Sequence, residues 1–376
     1  MKRIILAAVL MLVVSPAFGQ LAGISVDWAK TMTMEGAVSS VAYNYATDHF
    51  LVCQYNAPVG KKVAIVNQAG DTILGYLNET GLTFGTLNVF AICVGSDGVI
   101  FGGGNPDPDG AGTLEDRYLY RWANESAVPT QFNLGQADSA NAANDFGMIF
   151  PRAMDVYGTG VNTVVASSGD NSYDVSILTT TDGVNFTFAY RTNADNATDA
   201  ATQIKQGVAL TSDPAEIYGV KADGAGQVVS IVKSVTDTWF AKSGFVPANS
   251  YGVPPAGFGA AALIDYSEAQ NAVFVIGYSQ TDDWLTALDG TTGATLFQTQ
   301  IGQNVSTYGY GTMSVNDAQL GGYFGSRALG TNLALFGKFS YTTLATPTNT
   351  PTETPTFTPE ATPTKSSGVK EFEVYE

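Results

Sequence analysis

The sequence predicts an all-β fold, a propeller of six blades followed by an extended Thr/Pro-rich tail, and three observations predict it. Short runs of β-branched and aromatic residues recur about every eight to twelve residues with Gly, Asn, Asp or Ser between them, which is the rhythm of hairpins. Sustained apolar spacing of 3.6 residues, the mark of amphipathic helices, is missing. The body of roughly 320 residues is large for one sandwich but suits six or seven units of about 40–50 residues. Six is the count the units support, with seven the alternative.

The elements follow in order. Met1-Lys2-Arg3, an apolar run from Ile4 to Val14 and Ser15-Pro16-Ala17-Phe18-Gly19 open the chain. A basic start, a short greasy centre and small residues before the cut are what a signal peptidase reads, so residues 1–19 are expected to be a cleaved signal peptide. The run falls short of the roughly 20 apolar residues that span a bilayer, and no later stretch reaches that length. A secreted, extracellular or cell-envelope location is therefore expected.

Residues 20–341 form the expected propeller. The first unit runs through Val38–Tyr43, a turn at Ala46-Thr47-Asp48, Phe50–Val52, Lys62–Val66 and Gly70–Leu74. The second runs through Val89–Val94, a turn at Ser96-Asp97-Gly98, Val99–Phe101 and Tyr118–Trp122. Later units begin near Ala153, Gly207, Ala261 and Gly311, and the fifth contains Trp284–Leu296 with an Asp-x-x-x-Gly hairpin from Asp289 to Gly293. The early run Gly23–Trp28 is left over at the front, where it can complete the last blade, close the ring and remove two open sheet edges.

Beyond the body, prolines stand at 347, 351, 355, 359 and 363 among threonines. A period of four without apolar content packs no core, so residues 342–364 are read as a polyproline-like stalk. Residues 365–376 are either a short C-terminal tag or a disordered end.

Charge narrows the partners. Seventeen basic residues against 34 acidic ones give a net charge of −17, and loss of Lys2 and Arg3 with the signal takes it to 15 − 34 = −19. That field repels phosphate backbones and anionic lipid, which argues against nucleic acid, whereas an extracellular glycan or a surface protein remains open as partner. Cys53 and Cys93 both sit in apolar runs; they are either a disulfide permitted by export or two small buried hydrophobes. Two cysteines and one histidine are too few for a zinc site.

Leu119-Tyr120-Arg121-Trp122-Ala123-Asn124-Glu125-Ser126-Ala127-Val128-Pro129-Thr130 resembles a family of secreted bacterial proteins of unknown function, as do Asp155–Thr163 and Leu178–Phe186. The resemblance implies an exported, propeller-like protein and brings no activity with it. Thr180-Thr181-Asp182-Gly183-Val184-Asn185-Phe186 is also similar to the Asp-box of sialidase-type propellers, a folding motif on an outer hairpin.

The sharpest chemical signal is Asn105-Pro106-Asp107-Pro108-Asp109-Gly110-Ala111-Gly112-Thr113-Leu114-Glu115-Asp116. Asn105, Asp107 and Asp109 fall at positions 1, 3 and 5 of a calcium-type loop, Gly110 at the turning position 6 and Asp116 at position 12. Calcium is the cofactor this spacing suggests; a solvated acidic turn is the plain alternative, favoured by Asn105 at the first position, two stiffening prolines and no expected flanking helices.

Catalysis has weaker support. The single histidine, His49, stands in a turn beside Asp48, where a structural role outweighs that of a base, and no Gly-x-Ser-x-Gly elbow occurs. Sialidase chemistry needs clustered arginines, and the mature chain has few: Arg117, Arg121, Arg152, Arg191 and Arg327. Tyr173, Trp239, Tyr251, Trp284, Tyr308 and Tyr310 lie near expected turns, where aromatics stack on sugars or fill the space between blades. The expected function is a non-catalytic binding or structural module of the cell surface. The alternative is a calcium-dependent propeller hydrolase or lyase acting on extracellular carbohydrate.

Overall fold

The computed structural model describes residues 20–344, less the segments 84–86, 106–115, 137–150, 170–174, 193–203, 205–206, 221–226, 235–238, 247–260, 278–282, 304–310 and 329–331. Within them the chain forms 24 strands in six four-stranded antiparallel sheets, a six-bladed propeller. Blade 1 is β2 (Val38–Asn44), β3 (His49–Gln54), β4 (Val63–Asn67) and β5 (Ile73–Tyr76). Blade 2 is β6 (Leu87–Val94), β7 (Ile100–Asn105), β8 (Asp116–Trp122) and β9 (Thr130–Gln136). Blade 3 is β10 (Pro151–Tyr157), β11 (Val164–Gly169), β12 (Val175–Thr180) and β13 (Phe186–Arg191).

Blade 4 is β14 (Gly207–Leu210), β15 (Glu216–Val220), β16 (Val228–Lys233) and β17 (Trp239–Ala241). Blade 5 is β18 (Ala261–Ser267), β19 (Ala272–Gly277), β20 (Trp284–Asp289) and β21 (Thr295–Gln300). Blade 6 is β22 (Gly311–Asn316), β23 (Gly321–Arg327) and β24 (Leu333–Thr343), completed by β1 (Leu21–Thr33) from the other end of the chain.

The closure is extensive. β1 and β24 pair from Leu21↔Thr343 to Thr33↔Leu333, with register shifts near Gly23 and Trp28. This strand is the leftover run of the sequence, longer at both ends than Gly23–Trp28. Because its one ladder partner, β24, lies at the far end of the sequence, the ring closes only when the whole body has been made.

Burial falls from axis to rim. β2 is buried at every position and β14 likewise, whereas the outermost β5 and β21 have no fully buried position. Side chains alternate across each sheet, so one strand feeds two interfaces. On β3, Phe50 and Val52 pack towards blade 6 with Tyr323 and Phe336, and Leu51 and Cys53 pack towards blade 2 with Tyr120 and Trp122. On β12, Ile177 joins Ile217, Ile231 and Trp239 of blade 4, while Leu178 joins Phe101 and Leu119 of blade 2. Such near-continuous apolar runs are what strands covered on both faces require.

Bulky rings at these interfaces need space on the facing strand. Phe324 and Gly337 are register partners, and a Cβ at Gly337 would stand 2.0 Å from the Phe324 ring. Glycine here makes room for a fully buried aromatic.

The two cysteines are free and buried. Cys53 faces the blade 1–blade 2 interface and Cys93 the blade 2–blade 3 interface, so they point into different cores. Burial pushes both thiols well above the usual range, and they act as small hydrophobes. No helix among the described residues is long and apolar enough to cross a membrane.

Candidate functional site

The six innermost strands, β2, β6, β10, β14, β18 and β22, pack side by side around the axis. At the end where these strands finish, a cavity of about 200 Å³ opens, bordered by Tyr45, Ser96, Asp155, Tyr157, Asp265 and Glu268, with Leu210, Tyr266 and Val315 among the rest of its wall. Short connections surround this mouth, since each inner strand leads into the second strand of its blade, through a single 3-10 turn at Gly160–Asn162 in blade 3 and at Asp317–Gln319 in blade 6.

Asp155 on β10 and Asp265 on β18 are the chemical centre. Asp155 Oδ1 accepts the N–H of Val156 at 2.7 Å and Oδ2 accepts that of Leu210, on β14, at 2.6 Å. Asp265 repeats the arrangement: Oδ1 accepts from Tyr266 N at 2.8 Å and Oδ2 from Val315 N, on β22, at 2.6 Å. Each carboxylate therefore bonds its own blade to the next one round the ring. Tyr45 completes the belt by donating its hydroxyl to Ser314 O at 2.6 Å.

Electrostatics at the mouth are one-sided. Burial pushes the Asp155 carboxyl up to about 6, against the pull of its two backbone N–H donors. Burial also raises Asp265 well above the usual carboxylate range, and the charge on Asp155 adds to this. The Asp265 charge in turn adds to the burial that raises the Tyr45 hydroxyl. No Lys or Arg is among the described residues that line the mouth. Two acids enclosed together without a cation resist holding two negative charges.

The sequence-derived candidates lie elsewhere. Asn105 ends β7 and Asp116 begins β8, so the calcium-type loop connects two strands, and its interior, with Asp107 and Asp109, lies outside the described residues. Asn105 pairs with Leu87 at the start of β6, whereas the mouth adjoins the end of β6, so the backbone of Asn105 lies at the opposite end of blade 2. Among the described residues, no group of three His, Cys, Asp or Glu side chains is arranged to hold a metal ion.

His49 opens β3, and its Nδ1 lies 2.8 Å from Glu125 Oε2. Glu125 also accepts from Asn44 Nδ2 at 2.9 Å and from the Thr47 hydroxyl through Oε1. The histidine fastens a blade 1 turn to a blade 2 turn, which is a structural use. Trp239 is buried between blades 3 and 4 and Trp284 is part-buried on β20; Tyr173, Tyr251, Tyr308 and Tyr310 lie outside the described residues. Among the described residues, the tyrosines that reach the mouth are Tyr45, Tyr157 and Tyr266.

Asp182 holds the turn between β12 and β13. Asp182 Oδ1 accepts the N–H groups of Val184 and Asn185 at 2.8 and 2.7 Å, and Oδ2 accepts Asn185 Nδ2 at 2.6 Å. These donors, led by Asn185 N–H, hold the exposed Asp182 carboxyl far below the usual range. Asp289 on blade 5 accepts from Thr291 N and Thr292 N in the same way.

Sequence reasoning missed Asp155 and Asp265 as a pair. A signal existed, because each interrupts an otherwise apolar inner strand, Ala153-Met154-Asp155-Val156 and Leu263-Ile264-Asp265-Tyr266. Only the ring, however, brings blades 3 and 5 to one axis.

No protein-family profile matches this chain, and no curated protein is significantly similar to it in sequence. Solved structures that it resembles include the β-propeller domain of Myceliophteria thermophila Cps50 (Swd1), at 10% identity over 85% of this chain and 100% of that one, with a TM-score of 0.46. Another is XC5397 of Xanthomonas campestris, described as a gluconolactonase, at 12% identity over 85% and 96% of the two chains, with a TM-score of 0.45. The Dos1 propeller follows at 10% identity, 82% and 70% coverage and a TM-score of 0.40. Likeness at this level concerns the propeller architecture and extends to no ligand, site or activity.

Proposed function

We propose that the protein is an exported, non-catalytic binding module that takes its ligand at the mouth bordered by Asp155, Asp265 and three tyrosines. The observation that carries this reading is the way both carboxylates are used. All four of their oxygens already accept a backbone N–H, which fixes them rigidly and leaves neither as a free nucleophile. Remaining lone pairs and tyrosine rings can still receive a ligand. Export rests on the signal-like residues 1–19, and the partner class proposed from the acidic surface is an extracellular glycan or surface protein.

A second reading keeps one observation of its own. Two enclosed carboxyls with raised proton affinities are the material of an acid and base pair, as in a glycan hydrolase or lyase. A panel of glycans and polysaccharides, read for binding and for cleavage products, separates the two. Binding without products, weakened by Tyr266→Ala, supports the module; products that vanish in Asp155→Asn support the enzyme.

Calcium remains a proposal for the loop from Asn105 to Asp116. Millimolar calcium against chelator should raise the melting temperature, since a ligand bound only by the folded state stabilises it by about 2.7 kcal/mol at a hundredfold excess over Kd. Asp107→Ala with Asp109→Ala should abolish the shift. An equal shift in the double variant would place the ion elsewhere.

A further inference from the structure

The strand that closes the ring, β1, is preceded by Gln20, which is exposed. Leu21, the first residue of the strand, is buried and stands opposite Thr343. The Gln20 carbonyl accepts the N–H of Leu344 at 2.7 Å. Among the described residues, nothing engages the N–H or the side-chain amide of Gln20. The residue borders a cleft of about 400 Å³ with Leu21, Asp289 and Leu296, which leaves its side chain room to turn.

We propose that Gln20 is a site of covalent modification: once the leader is cut after Gly19, its α-amine closes on its own side chain and the mature chain begins with a pyroglutamyl ring. This rests on the export reading, and adds what the cut makes of the new chain end. The α-nitrogen lone pair attacks Cδ, an N–Cδ bond forms and the Cδ–Nε2 bond breaks. The surplus proton of the amine leaves with Nε2 as ammonia. Nothing is oxidised or reduced, and no co-reactant is consumed.

The fold suits this reaction at residue 20. An α-amine titrates at about 7.7–8.0, so near neutral pH part of it is unprotonated and nucleophilic. The ring uses only the two groups that the described structure leaves unengaged, and the carbonyl that holds Leu344 takes no part in it. The ladder between β1 and β24 is therefore kept. Neither neighbour can substitute, because Gly19 and Leu21 carry no side-chain amide.

Ring formation removes a terminal charge and leaves an exopeptidase no free amine to hold. Chain ends are where proteolysis concentrates, and trimming from this end runs straight into the strand that pairs with β24 and covers Phe339 and Tyr341. The ring is a cap on the closing strand.

The test exports the full chain from a host with a signal peptidase and maps the N-terminal peptide of the exported protein by mass. Expected is a peptide that begins at residue 20, is lighter by one ammonia than its sequence, resists stepwise degradation from the amino end, and begins at Leu21 after treatment with pyroglutamyl aminopeptidase. A Gln20→Ser chain should keep a free amine and melt with the wild type, since position 20 is exposed. It should nevertheless be shortened by an aminopeptidase that leaves the wild type whole. A chain that starts at residue 20 with its amine still free after prolonged incubation at neutral pH overturns the ring and leaves export standing, as does a cut at another residue. An intact Met1 overturns the export reading itself. Equal trimming of wild type and variant overturns the cap.

Discussion

Asp155 and Asp265 act on stability as well as on the mouth, and the sign follows from their environment. A carboxyl whose folded value lies above its unfolded one favours folding while protonated, so the contribution is fully present below about pH 4 and is lost as pH rises through the folded value. For Asp155, at about 6, the loss is on the order of 2–3 kcal/mol between pH 4 and pH 7. Asp155→Asn removes the ionisation but turns an amide N–H towards one of two backbone donors, a pH-independent cost of about 1–2 kcal/mol. The variant should therefore melt below wild type at pH 4 and at or above it at pH 8. Parallel melting curves across that range would show that the carboxyl does not titrate there. At Gly337 the constraint is steric instead: Gly337→Ala meets the Phe324 ring and should cost about 1–3 kcal/mol. Individual residues like these were the least legible in the sequence. The Asp182 turn could be read because its partners lie within three residues of it, whereas the acid pair depends on residues 110 positions apart meeting at one axis.

At the scale of the element, strands and their turns were legible because hairpin contacts are local. The runs at Val38, Val89, Ala153, Gly207, Ala261 and Gly311 are the six inner strands, and two of them, β2 and β14, are buried at every position because each has a blade on either side. Bulges were illegible: the shift between Leu87 and Ala91 in β6 leaves no mark in an apolar run, since either register buries similar side chains. The element on which most depends is β1. Starting the chain at Met34 removes the partner that β24 meets from Leu333 to Thr343, uncovers Phe339 and Tyr341, and exposes a long apolar edge. Such a protein should be recovered as aggregate or as a species with lost near-ultraviolet circular dichroism. If it melts within a few degrees of the intact body, the closure does not hold the ring.

On the whole molecule, each interface is shared by two blades, and the ring has no end at which unfolding can begin cheaply. Linear repeats unfold in stages because their terminal units contact one neighbour only. Here the described core divides into six clusters, each spanning a junction between adjacent blades, including the one between blade 6 and blade 1. Opening any junction leaves the two flanking blades half covered, so loss of one blade destabilises both neighbours. The chain divides at Leu344 into a compact unit and the segment 345–376; this lies three residues beyond the boundary at 341 drawn from composition, because β24 continues to Thr343 in its ladder with β1. A chain ending at Leu344 should keep the full-length melting temperature to within about 1–2 °C, while one ending at Gln303 lacks β22 to β24 and should not fold. In urea, tryptophan fluorescence and far-ultraviolet circular dichroism of the 20–344 protein should trace one coincident transition, because Trp28, Trp122, Trp239 and Trp284 report from blades 6, 2, 4 and 5. Separated midpoints would mean that blades come apart individually and that closure adds little cooperativity.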